Sequence, residues 1–159
     1  MVLEEVLKQA LISRGLKLAA AESCTGGLIS HRITNVSGSS EYFPGGIVAY
    51  SYEAKVNLLG VSWDTLNSHG AVSRETVLEM ARGVRKIFSA DIGISVSGIA
   101  GPTGAMPGKP VGTTWLGLAA NTGDWARNFV WDGDREQNKQ YSSEAALQMV
   151  LDYLDGKLS

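Results

Sequence analysis

The sequence predicts an α/β domain built on a mixed, mostly parallel sheet of about five strands. Three observations lead there. Short apolar runs of strand length alternate with stretches of helical period. Glycines and small polar residues collect at the ends of those runs. The last two runs are joined across Asn121, Thr122, Gly123 and Asp124, a hairpin composition that makes at least one pair of strands antiparallel.

Each element follows in order. Leu3, Val6, Leu7, Ala10 and Leu11 recur at helical spacing and Gly15 stops them, which predicts an amphipathic first helix. Residues 16–21 read as a strand. Ser23 to Gly27 then turn the chain into a helix holding Leu28, Ile29 and Ile33. Residues 46–50 (GIVAY) form the second strand, and Ser51 caps a helix that runs to Leu59 and ends at Gly60. Residues 62–73 read as one helical turn and a connector. Ser73 opens a longer helix whose buried stripe is Val77, Met80, Ala81, Val84, Ile87 and Phe88. Residues 92–97, 113–120 and 125–131 supply three more strands, and a last helix follows Arg135. Repeats, linkers and low-complexity segments are absent from this reading, so residues 1–159 form one domain.

Composition bounds the function. A chain of 159 residues suffices for one core, since a domain of this length buries roughly 70% of its unfolded surface. With 14 Lys plus Arg against 16 Asp plus Glu, the net charge of −2 gives no broad basic face for nucleic acid. Cys24 is the single cysteine, which excludes an internal disulfide and a cysteine-based zinc site and favours a reducing compartment, the cytoplasm by default. No HxxxH or Cys/His cluster suggests a metal. No apolar run reaches the roughly 20 residues of a membrane span, and Glu4 and Glu5 stand where a signal peptide is basic.

The chemistry concentrates between Leu18 and Lys55. In the turn AESCTGG, Thr25, Gly26 and Gly27 let main-chain amides approach an anion such as a phosphate or carboxylate, although small residues also simply permit a tight turn. The glycine spacing is that of neither the dinucleotide fingerprint nor the P-loop. Ser39 and Ser40 form a GSS turn in which a serine ordinarily caps a helix; Tyr50 and Lys55 give the turn a functional reading, because a lysine or tyrosine held neutral activates a serine hydroxyl. Lys55 falls in the first turns of a helix, where the dipole opposes its charge and burial would act in the same direction, set against a solvated helix position for Lys55 and a strand-end aromatic with its hydroxyl in water for Tyr50. The loop SGIAGPTG, with Ser97, Gly98 and Gly101, can present amides to an anion, and Arg135 can add a guanidinium fork for a phosphate. Cys24 is a candidate nucleophile whose partner would be His31 or His69, set against a small buried thiol.

The ordered motifs AAAESCTGGLIS, GSSEYFPGGIVAYSYEAKVNLLGV, HGAVSRETVLEMA, SVSGIAGPTG, KPVGTTW and GDRE make the chain closely resemble the CinA C-terminal domain family over about residues 5–155. The resemblance implies a three-layer α/β/α sandwich and hydrolysis of the carboxamide of nicotinamide mononucleotide to nicotinic acid mononucleotide and ammonia, with no cofactor and as a homodimer. It further implies Ser40 as nucleophile, Tyr50 and Lys55 as the groups that activate it, Ser23 as a supporting group, and the glycine-rich loops with Arg135 as the phosphate grip. Tyr52 stands where many members have Asn, and Lys139 where Arg is common. The N-terminal domain of longer members is not expected. A non-catalytic module of the competence or damage response, binding a nucleotide or a partner protein through the same turns, is the competing reading.

Overall fold

The computed structural model describes residues 1–158. Its five strands are β1 (Leu18–Glu22), β2 (Gly45–Val48), β3 (Ile92–Gly98), β4 (Thr113–Ala120) and β5 (Gly123–Val130), in the sheet order β2-β1-β3-β4-β5. β1 pairs in parallel with both β2 and β3, while β4 pairs antiparallel with β3 and β5. Every strand except β4 therefore points the same way. The carboxyl ends of β1, β2 and β3 come together at one edge of the sheet, and the loops that leave them must meet there.

Strand periodicity sorts the two faces. Leu18 and Ala20 of β1 join Ile92, Ile94 and Val96 of β3 in one core, covered by α1 (Leu3–Arg14), α2 (Leu28–Thr34) and α6 (Arg135–Leu154). Ala19 and Ala21 face the other way, into a smaller core under α3 (Tyr52–Leu59), α4 (Trp63–His69) and α5 (Arg74–Ile87). This is a three-layer α/β/α arrangement. α5 lies directly against the sheet, because a Cβ on Gly93 would collide with the Ala81 carbonyl and one on Gly117 with the Val77 carbonyl. The glycines in β3 and β4 thus set the depth of the α5 layer.

The expected elements are present, with shifts at their ends. β2 leaves the ladder at Val48, although the Ala49 amide still donates to the Glu22 carbonyl at 2.8 Å. Residues 63–69 form two helical turns where one was expected. The reason is tertiary: Glu79 on α5 accepts from the Ser62 amide (2.8 Å) and the Thr65 hydroxyl (2.5 Å), which holds the segment helical. Ser51 and Ser73 cap α3 and α5 as expected, through the Ala54 and Thr76 amides. Ser39 and Ser40 do not cap. They lie inside a 3-10 helix, Ser39–Glu41, entered through Gly38 at φ 84°, with no side-chain cap bond. No helix among the described residues is long and apolar enough to cross a membrane.

Candidate active site

β1 runs from Ala20 and Glu22, facing the α2 side, to Ser23, whose side chain emerges on the α3 side by the same alternation. Ser23 is held in place by its amide, which donates to Val96 on β3 (3.2 Å). α3 then delivers Lys55 to the same spot. Its side chain is 1% exposed, and its Nζ lies 3.0 Å from the Ser23 Oγ, 3.0 Å from the Ala49 carbonyl and 3.3 Å from the Tyr50 carbonyl. None of these partners is a carboxylate. Burial therefore pushes the Lys55 ammonium below its ordinary value, with the neighbouring Cys24 a smaller opposing influence.

An ammonium satisfies this set by donating to all three oxygens, and a neutral amine satisfies it too once the Ser23 bond is reversed. Such an amine has two N–H bonds and one lone pair. The two carbonyls of Ala49 and Tyr50 can only accept, so they take the two N–H groups. The lone pair is then left for the Ser23 hydroxyl, which becomes the donor. In that neutral form the contact has the geometry that a serine hydroxyl needs against a base.

Around this pair lies a cavity of about 250 Å³ lined by Ser23, Tyr50, Tyr52, Lys55, Ser97 and Arg135, among others. Arg135 opens α6 and reaches back across the cavity mouth. Its guanidinium donates to the Gly101 carbonyl at 2.8 Å and to the Tyr50 hydroxyl at 3.1 Å. Beyond it a larger cavity, about 820 Å³, continues past Gly101 and Pro102 to Asp134 and Lys139. Arg135 borders both. Lys139 sits over Gly26 and makes no hydrogen bond or ion pair among the described residues.

The structure brings together Ser23, Tyr50, Lys55, Ser97, Gly98, Gly101 and Arg135. It does not bring Ser40 to them, and this corrects its expected role as a nucleophile activated by Lys55 within one chain. The 3-10 helix precedes β2, and the Tyr42 carbonyl accepts from the Leu18 amide at the start of β1. Lys55 lies past the far end of the same strands. At least the length of β2, about 13 Å, separates them.

Thr25 is also corrected. It is 1% exposed and its hydroxyl is spent on Glu22 at 2.6 Å, so it shapes the turn and does not line the cavity. Gly26 and Gly27, at φ 61° and 105°, let that turn close, and Gly26 touches the site through Lys139. Cys24 is buried beside Ser23, and burial pushes its thiol up to about 12, which leaves no thiolate at neutral pH. The small-thiol reading holds. Glu22 was not singled out as a functional residue by sequence. A single acid ending the apolar strand LAAAE was the available signal.

The fold and site define an open α/β domain that carries a serine–lysine pair where its parallel strands end. The family profile of the CinA C-terminal domain matches residues 1–154, and the chain belongs to that family. A CinA-like protein of Chlorobaculum tepidum is 51% identical over 154 residues, 94% of this chain and 36% of that protein. One from Chloroherpeton thalassium is 49% identical over 159 residues, 98% of this chain and 38% of that one. The chain thus spans less than two-fifths of the length of these curated relatives. Among solved structures, a CinA superfamily protein from Klebsiella pneumoniae 700603 has a TM-score of 0.93 at 33% identity, covering 98% of this chain and 99% of that one. The competence/damage inducible protein CihA from Agrobacterium tumefaciens has a TM-score of 0.89 at 37% identity, covering 96% and 95%.

Proposed function

We propose that the protein hydrolyses the carboxamide of nicotinamide mononucleotide to nicotinic acid mononucleotide and ammonia, with Ser23 as nucleophile and Lys55 as its base. The observation that carries this reading is the 3.0 Å contact between the Ser23 hydroxyl and the Nζ of a buried lysine that has no carboxylate among its bonded partners. The nucleotide reading draws on the family resemblance and on the two cavities, which share Gly101 and Arg135 in their linings.

Lys55 accepts the Ser23 proton as Oγ attacks the carboxamide carbon, forming a tetrahedral oxyanion. Main-chain amides of the Ser23 turn receive the oxyanion; those of Cys24 and Thr25 make no main-chain bond among the described residues. The Lys55 ammonium returns the proton to the departing nitrogen, ammonia leaves, and an ester on Ser23 remains. Lys55 then deprotonates a water that cleaves the ester and releases the acid.

The smaller cavity accommodates the pyridinium ring, whose positive charge suits the faces of Tyr50 and Tyr52. The ribose and phosphate extend into the larger cavity, where Lys139 is the uncommitted cation and Arg135 the second. Ammonia release from the mononucleotide by the purified protein tests the reading. Ser23→Ala abolishes turnover and Lys55→Ala lowers it about 10²- to 10⁴-fold, whereas Ser40→Ala retains it. Binding of the nucleotide without release by the unmodified protein would instead support the non-catalytic module.

A further inference from the structure

Glu22 is fully buried and pairs with no cation among the described residues, yet every acceptor direction of its carboxylate is filled. Oε1 accepts from the Thr25 hydroxyl (2.6 Å) and the Ile29 amide (2.8 Å); Oε2 accepts from the Ser30 amide (2.9 Å) and the Ser30 hydroxyl (2.7 Å). A carboxylate without a counter-ion is costly to bury, and an apolar side chain at this position would simply extend the core of Leu18 and Ala20. Some other requirement must be met by the acid.

The four bonds show what it does. They tie the first turn of α2 and the Thr25 side chain back onto the last residue of β1, closing the turn that begins with Ser23. Without them the turn keeps only two local bonds, from the Gly26 amide to the Ser23 carbonyl and from the Leu28 amide to the Thr25 carbonyl. Two glycines at positive φ do nothing to stiffen it. The main chain of Glu22 serves the other partner. Its carbonyl accepts from the Ala49 amide, and the Ala49 carbonyl in turn accepts from Lys55 Nζ.

We propose that Glu22 is the positioning residue of the serine–lysine pair: its carboxylate, on the opposite face of β1 from Ser23, fixes the turn that sets the Ser23 hydroxyl against Lys55. The proposal rests on the reading of Ser23 as nucleophile but not on the identity of the amide substrate. Glutamine cannot substitute, because its NH2 group cannot accept from the Ile29 or Ser30 amide, whichever way it is turned. Thr25→Val removes one donor while keeping shape, and Thr25→Ser returns it.

The test has two readouts, taken well below each variant's melting temperature. The first is steady-state turnover of nicotinamide mononucleotide. Glu22→Gln lowers kcat at least tenfold with KM within threefold, Thr25→Val lowers kcat by a smaller factor, and Thr25→Ser restores most of it. The second is the rate at which a sulfonyl fluoride labels Ser23, followed by mass spectrometry, which needs no knowledge of the substrate. Labelling falls in parallel with kcat in Glu22→Gln and Thr25→Val and recovers in Thr25→Ser. If the unmodified protein turns over no mononucleotide but the labelling series behaves as stated, the substrate reading fails and the positioning role stands. Equal labelling in the unmodified protein and Thr25→Val overturns it, even if the variant melts earlier, and so does failure to label Ser23 at all. Should Glu22→Gln fail to fold, the Thr25 pair decides alone.

Discussion

Lys55 Nζ and Ser23 Oγ meet 3.0 Å apart although 32 residues separate them in the chain. The contact is made by two neighbouring parallel strands, since Ser23 directly follows β1 and Ala49, which leaves β2 beside it, accepts the second Lys55 bond. Because the amine is buried with carbonyls and a hydroxyl alone, its chemistry is set by loss of solvent. The predictions below follow from that arrangement and from its surroundings.

Removal of the base is expected to cost about 10²- to 10⁴-fold in kcat, the usual worth of a positioned proton acceptor. Lys55→Arg is no rescue, because a guanidinium stays protonated and offers no lone pair. Ser23→Ala falls to background. Steady-state ammonia release, with circular dichroism to establish folding, checks all three.

The pH profile follows from the lowered Lys55 value. Activity requires the free amine, so kcat/KM rises with pH through the folded-state pKa of Lys55, which lies below the ordinary 10.5. Between that value and 10.5 the unfolded chain binds a proton that the folded protein does not, so stability also rises with pH across this window. Lys55→Met removes that rise. Denaturant titrations at a series of pH values up to 10.5 would reveal it, and an unchanged slope in the variant would refute the assignment.

Tyr50 and Arg135 join across the mouth of the smaller cavity, where the phenol accepts from the guanidinium at 3.1 Å. Tyr50→Phe breaks that bond without touching the Tyr50 carbonyl that Lys55 uses. The expected outcome is a several-fold higher KM with kcat changed less. Lys139→Ala, in the larger cavity, raises KM for the mononucleotide more than for nicotinamide riboside, which lacks the phosphate.

Tyr42 offers a stability test away from the chemistry. The ring is 1% exposed and its hydroxyl has no hydrogen-bond partner among the described residues, an arrangement that destabilises the folded state. Tyr42→Phe deletes the orphaned group and keeps the ring. An increase of about 1 kcal/mol is expected, or roughly 2–4 °C in Tm. A loss of stability in the variant would show that the hydroxyl has a partner after all.

Arg32 ties three helices on the α2 side of the sheet, bonding Glu4 on α1 at 2.7 Å and both Ser143 (3.0 Å) and Glu144 (3.2 Å) on α6. Its guanidinium holds the Glu4 carboxyl below the ordinary 4.5, against the opposing effect of burial. The stability so gained is present above 4.5 and is lost as pH falls through the lower folded value. Arg32→Met moves the acid-unfolding midpoint to higher pH.

By itself the sequence determined the α/β class, the five strands, the serine caps of α3 and α5, and the place of Lys55 in the first turns of α3. These are local matters: a strand, a cap or a glycine stop is written in residues a few positions apart, and hydrophobic period shows through without tertiary help. The two-turn helix at Trp63–His69 was not legible, because Glu79 on another helix sustains it. Which serine Lys55 meets was decided by the tertiary structure alone. Ser40 is closer in sequence to Tyr50 and Lys55, but the parallel pairing of β2 with β1 carries the chain from one edge of the sheet to the other between Ser40 and Lys55. The same pairing sets Ser23, the more distant serine, beside the amine. Glu22 likewise acquires its meaning only when the start of α2 folds back over the end of β1, since an isolated acid after three alanines states its charge but not its partners.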